Sequence, residues 1–88
     1  MANHKSALKR ARQNVLRRER NRIVRTRMKN AVKQVRSAAN ENSKDAAVEH
    51  LNQAKSVIAK AAKKGVIHRN TAARKISRLA KLVNTVSL

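Results

Sequence analysis

Cysteine and proline are absent from this chain, glycine occurs once, and its 88 residues include no Phe, Trp or Tyr. Without cysteine, disulfides and thiolate metal sites are excluded. Without aromatic rings nothing stacks on unpaired bases, which argues against readers of single strands. The same lack removes the anchors that hold an interfacial helix in a bilayer and, less strongly, the wedges that kink DNA. A single glycine leaves no Gly-rich phosphate loop. No apolar run approaches the length of a membrane span, and no signal-peptide core is present. His4, His50 and His68 are scattered without metal-ligand spacing, and Glu49-His50 lacks a second His four residues on. Ser and Thr have no evident His–carboxylate partners. We therefore expect no catalytic residues, no metal and no cofactor. His50 reads as an ordinary surface residue of a helix.

Acid is the scarcest charge. Four Asp and Glu stand against 23 Lys and Arg, a formal net charge of +19. Such an imbalance says little about fold and much about partners: nucleic acid, an anionic membrane or an acidic protein. Residues 1–36 hold 13 basic groups and one acidic; residues 37–59 hold two and three; residues 60–88 hold eight and none. Two cationic flanks around a near-neutral middle imply that the middle faces water and the flanks face the partner. The Arg-rich, acid-poor start could pass for a mitochondrial presequence. The same composition returns at the C-terminal end, where no presequence would sit.

Apolar material is plentiful but small. Of 36 apolar residues, 15 are Ala. A domain of this length buries only about 60–65% of its unfolded surface, and like charges repel within it. We expect marginal stability, raised by whatever polyanion binds the native form.

What remains is helical periodicity. Met1 to Ser6 reads as a short irregular start with Ser6 as N-cap. From Ala7 to about Ala39 nothing breaks a helix. Val24, Met28, Ala31, Val32, Val35, Ala38 and Ala39 form one stripe, with Arg25, Lys29, Lys33 and Arg36 on another side. Before Val24 the pattern fails. Arg17-Arg18-Glu19-Arg20-Asn21-Arg22 is unbroken polar sequence, and Leu8, Val15, Leu16 and Ile23 point elsewhere. This half is expected to be frayed or disordered when free, an arm that folds onto a phosphate backbone; the plainer reading is a long solvated helix. A loop follows at Asn40-Glu41-Asn42-Ser43, with Asn42 or Ser43 as cap. Glu41, Asp45 and Glu49 offset the dipole of a second helix from about Lys44 to Lys64. Ala47, Leu51, Ala54, Ile58 and Ala61 are its stripe, widened by Val57 and Ala62. A third helix spans roughly Asn70 to Thr85, with Ala72, Ile76, Leu79, Val83 and Val86 on one side and Arg74, Lys75, Arg78 and Lys81 on the other. The fold class is all-α: a three-helix bundle with a long first helix, one domain composed of a basic arm 1–23 and a bundle 24–88.

Gly65 punctuates the last two helices. It reaches positive φ at little steric cost and so suits the position just past a helix C-terminus. Lys63 and Lys64 would sit on the negative end of the dipole. Val66 falls where a capping motif returns an apolar contact to Ala61 or Ala62. His68, Asn70 or Thr71 can cap the next helix, Asn and Thr being the better acceptors. Lys63, Lys64, Arg69 and Arg74 make the corner basic with no acid, so it reads as a solvated turn that also touches a polyanion.

Double-stranded RNA, recognised by phosphates and shape, fits this inventory best. A nucleoid-type architectural DNA-binding protein is the alternative, and a membrane surface fits least. Composition alone does not separate RNA from DNA; on the RNA reading, the basic arm, the cationic helix sides and the basic corner nominate Arg12, Arg17, Arg18, Arg22, Arg25, Lys29, Lys64, Arg69 and Arg78 as RNA-binding residues.

The start Met1-Ala2-Asn3-His4-Lys5-Ser6-Ala7-Leu8-Lys9-Arg10, the stretch Lys64-Gly65-Val66-Ile67-His68-Arg69-Asn70-Thr71-Ala72-Ala73-Arg74, and Ser77-Arg78-Leu79 resemble the bacterial small-subunit ribosomal protein family S-twenty. The resemblance covers the whole chain in length and order, and the Gly-x-Ile-His-x-Asn-x-Ala-Ala-Arg block is its specific part. It implies a three-helix bundle in the cytoplasm that binds 16S ribosomal RNA directly and early in assembly. It implies that Asn3, Lys5, Ser6, Lys9 and Arg10, with His68, Asn70 and Arg74 at the corner, approach that RNA. Other small-subunit components would then be partners through the RNA, with no membrane and no obligate homo-oligomer.

Overall fold

The computed structural model describes residues 2–86 and, within the first helix, side chains from Lys5 onward. Three helices follow one another: α1 (Ala2–Asn40), α2 (Lys44–Lys63) and α3 (Arg69–Asn84). The α1 helix, 39 residues long, extends about 58 Å at 1.5 Å per residue. Its second half lies chiefly against α2, α2 against α3, and α1 meets α3 least. The first half projects past the bundle, and the molecule measures 67 × 21 × 14 Å.

The start of α1 differs from the sequence expectation. The helix begins at Ala2, so Ser6 is a residue of its interior and not a cap. Nothing from Ala2 to Ala7 is proline or glycine, and the chain is free to continue a helix that later turns hold in place. For the same reason residues 7–23 form one unbroken helix in phase with the docked half. Thr26 donates from Oγ1 to the carbonyl of Arg22 at 2.9 Å, a local bond that leaves the helix intact.

Both turns close in the same way. Asn42 adopts φ 55° and Gly65 φ 79°. The Ser43 N–H donates to Ala38 and Asn42 to Ala39, both at 3.1 Å; the Val66 N–H donates to Ala61 and Gly65 to Ala62, both at 3.0 Å. These are paired six-to-one and five-to-two bonds, with a left-handed residue just past each helix end. Gly65 was expected in that role. Asn42 serves in it at the earlier turn, and Ser43 is the N-cap of α2 without a side-chain cap bond. Val66 returns to the core beside Ala61 and Ala62, as the capping motif requires.

Three stripes meet in the interior. Met28, Ala31, Val35 and Ala38 from α1 pack with Ala47, Leu51, Ala54, Ile58 and Ala61 from α2 and Ala72, Leu79 and Val83 from α3. Among the described residues, seven of the fourteen buried apolar side chains are alanine, and no polar side chain is buried. Small residues let the helix axes approach, so the core is narrow. Ile76 was expected inside this core and lies at its edge, partly buried. His50 was expected on the surface and is half-buried, its Nδ1 enclosed without a hydrogen-bond partner. Among the described residues one polar tie crosses the bundle: Lys44 Nζ donates to the Val83 carbonyl at 2.7 Å. The same carbonyl accepts from the Val86 N–H at 3.1 Å, so the ammonium takes its second lone pair at the negative end of the α3 dipole.

Candidate nucleic-acid interface

Cations on α1 fall into a register that the sequence alone does not make obvious. Arg18, Arg22, Arg25, Lys29, Lys33 and Arg36 follow one another at intervals of four, three, four, four and three, and all six are exposed. On an unbroken helix such spacing keeps them on one side. The row runs about 27 Å along the axis. It begins on the projecting half and ends on the bundle, so α1 carries a single line of positive charge across both.

In its second half the row enters a shallow groove of about 420 Å³. Arg25, Lys29, Lys33 and Arg36 line it from α1, Lys75 from α3 and Ile67 from the turn, over a floor that includes Met28 and Val32. Five cations converge on an apolar floor with no acid among the lining residues. Arg25 and Lys29 were candidates from the sequence. Lys33, Arg36 and Lys75 were recognised there as cations on polar helix faces but not nominated; their convergence depends on how α3 folds back. A low-dielectric floor beneath like charges strengthens their field.

A second and smaller cleft lies about halfway round α1, between α1 and α2. Val24, Arg27, Val57, Lys60, Ala61 and Lys64 line it. Lys64 was a candidate; Arg27 and Lys60, its neighbours here, were not. The candidate cations therefore do not form one patch. They lie on both sides of α1.

The corner presents a third feature. His68 is the N-cap of α3, its Nδ1 accepting from the Asn70 N–H at 3.1 Å. The sequence favoured Asn70 or Thr71 as cap. The helix starts at Arg69, which places those two in its first turn and leaves His68 at the boundary. An accepting Nδ1 puts the ring proton on Nε2, which is left to donate outward. The first turn of α3 contains no acid, so the positive end of its dipole and exposed Arg69 and Asn70 face solvent together. Arg74 and Arg78 are exposed one turn apart on α3, away from Leu79 and Val83.

On the projecting half, Lys5, Lys9, Arg10, Arg12 and Arg17 are all exposed. They point to several sides of the helix, and Ser6 shares a face with Arg10. The side chain of Asn3 lies outside the described residues. Among the described residues no group of three or more His, Asp or Glu could hold a metal ion, and no helix is long and apolar enough to cross a membrane. Chemically the arrangement suits anions that are extended and repeated; among the described residues no acid, base and nucleophile converge.

Comparison with known proteins agrees over nearly the full length. The profile of the family described as Ribosomal protein S20 matches residues 2–84. The small ribosomal subunit protein bS20 of Syntrophobacter fumaroxidans is 57% identical over 86 residues, covering 98% of this chain and all of that protein. Its counterpart in Nitratidesulfovibrio vulgaris strain DP4 is 59% identical over 87 residues, covering 99% and 100%. That of Desulforapulum autotrophicum is 65% identical over 81 residues, covering 92% and 96%.

Proposed function

The chain belongs to the Ribosomal protein S20 family, and from that premise we propose that its cationic surfaces are the faces on which 16S ribosomal RNA seats. It is a structural, non-enzymatic component of the small ribosomal subunit in the cytoplasm, associated with the subunit's RNA. The nucleoid-type alternative finds no support in the family or in the relatives. The finer reading is ours. The protein acts as one domain and one copy, with residues 1–23 as an arm and 24–88 as the bundle. It meets other subunit components through the RNA.

The observation that carries this reading is the unbroken row from Arg18 to Arg36, all exposed, ending in the groove that Lys75 completes. A line of cations about 27 Å long matches an extended phosphate backbone better than any compact anion. Lys5, Ser6, Lys9, Arg10, Arg12 and Arg17 add contacts along the arm, and Lys64, His68, Arg69, Asn70, Arg74 and Arg78 add them at the corner and on α3. Asn3 is included on the family resemblance alone. Contacts on opposite sides of α1 suit a protein wedged between RNA elements, which stabilises their mutual arrangement during assembly.

The test is titration of naked 16S ribosomal RNA across a range of salt. For about 6–10 phosphate contacts the loss on duplex DNA is on the order of 10³–10⁵ between low and moderate salt, and a comparably steep fall is expected here. Replacing Arg25, Lys29 and Lys33 together by alanine should weaken binding and reduce the slope by about 2. A flat salt dependence, or a triple variant that binds like the parent, sinks the assignment of this row.

A further inference from the structure

The first half of α1 bears an apolar stripe that the bundle does not use. Leu8, Val15, Leu16 and Ile23 are 51–55% exposed. At 3.6 residues per turn they cluster on one side, about 150° round the helix from Val24, Met28 and Val35, which face the core. A partner seated on the stripe would therefore meet neither α2 nor α3. Cations border it on both sides, Arg18 and Arg22 along one edge and Lys9 and Arg20 along the other. Near its centre stands Glu19, the only acid in the helix.

The borders decide what can cover this face. A second copy would bring two strongly cationic arms together across a stripe already interrupted by Arg12. A bilayer would have to accept both Arg12 and Glu19 in the middle of a short apolar face with no aromatic anchor. A polyanion satisfies the borders, but an apolar centre does not suit phosphates. One nucleic-acid surface presents both: the minor groove of an A-form duplex is wide and shallow and displays sugars between two phosphate rows. Glu19 then gains a reason to be there. A carboxylate against phosphates is repelled, whereas a ribose 2′-hydroxyl can donate to it.

We propose that this outward face of α1 lies in the minor groove of an RNA double helix, with Leu16 and Ile23 at its centre against the riboses and Glu19 accepting from a 2′-hydroxyl. The proposal rests on ribosomal RNA being the partner and adds what this face reads: sugar identity rather than charge. The cation row supplies salt-sensitive affinity. The stripe supplies a salt-insensitive part and the preference for RNA over DNA.

The full chain tests it. Leu16→Ala with Ile23→Ala should weaken binding to 16S ribosomal RNA on the order of tenfold, with the slope of log affinity against log salt and the thermal melting point both unchanged. Glu19→Ala removes a negative charge and so raises affinity for any polyanion; the informative quantity is the ratio between an RNA duplex and a DNA duplex of the same sequence. That ratio should fall several-fold in Glu19→Ala and fall less in Glu19→Gln, which keeps an acceptor. An unchanged RNA affinity in the double variant, or a ratio that Glu19→Ala leaves alone, overturns the proposal. So does a parent protein that self-associates or binds anionic phosphatidylserine vesicles through this stripe while the double variant holds RNA normally. Failure of the parent to bind 16S RNA at all would overturn the partner itself, a different and separable result.

Discussion

Gly65 and Asn42 do the same job with different residues, and the difference is measurable. Both occupy the left-handed region, where a side chain with Cβ is disfavoured by about 1–2 kcal/mol. At Gly65 nothing lies within 4 Å of where a Cβ would be, so Gly65→Ala meets backbone strain and no clash. Chemical denaturation should show a loss of about 1 kcal/mol, and a loss above about 3 kcal/mol would mean that an unseen contact matters more than φ. Asn42→Gly relieves the corresponding strain and should raise the melting point slightly. Leu79 is 4% exposed at the centre of α3. Leu79→Ala should cost about 2–5 kcal/mol, enough to unfold much of so narrow a bundle. Lys44→Met keeps the stem and removes the tie to Val83, whose carbonyl still accepts from the Val86 N–H; denaturation should show a loss of about 1 kcal/mol from the missing charge-assisted bond alone.

Helix α1 is two elements by environment and one by geometry. From Val24 it is held by tertiary contact; before that every side chain described is exposed except Asn21. Deleting residues 1–22 removes eight cations and one acid and none of the buried core. Thermal melting of the truncated chain should therefore stay within about 1 kcal/mol of the parent, since lost self-repulsion roughly offsets lost helix. Titration with 16S RNA should show binding weakened at least tenfold and a shallower salt slope. Retained binding would make the arm a passive extension, and a collapsed fold would make it part of the core. Amide exchange should agree: fast before Val24, slow around Leu51 and Leu79, with the arm becoming protected on RNA.

At the scale of the molecule, shape and charge serve the same end. The structure exposes 7152 Å², where a compact monomer of this mass exposes about 5,200 Å². Its radius of gyration is 17.7 Å, against roughly 12 Å for a compact chain of this length. An elongated body spreads a net charge of +19 and lowers its self-repulsion, and it gives two sides on which RNA can lie. Mass action then predicts that RNA raises apparent stability. Melting of the protein with saturating 16S RNA should occur well above melting alone at the same salt, and the gap should close as salt rises. A gap that persists at high salt would assign more of the affinity to the apolar stripe than to phosphates.

The amino-acid sequence by itself determined the helices, their order, the core stripes and the class of partner. Each of these is local or additive. Helical periodicity over Ala47 to Ala61 needs no knowledge of what lies opposite, Gly65 marks its own turn, and net charge is a sum. The lack of any break before Ala39 made a long first helix legible, though not its start at Ala2, because helix ends depend on small differences among competing caps. The same weakness put the cap of α3 at Asn70 or Thr71 instead of His68. Tertiary structure decided which cations become neighbours. Lys75 reaches Lys33 and Arg36 only because the Gly65 corner returns α3 toward α1, and Lys64 meets Arg27 only because α2 runs back along α1. It also decided that Ile76 would be peripheral, that His50 would be half-enclosed, and that Lys44 would reach across to Val83. Those outcomes depend on the angles at which three helices cross, which are set by the alanines and by Val35, Leu51, Ile58 and Leu79 packing together, and no single segment contains that information.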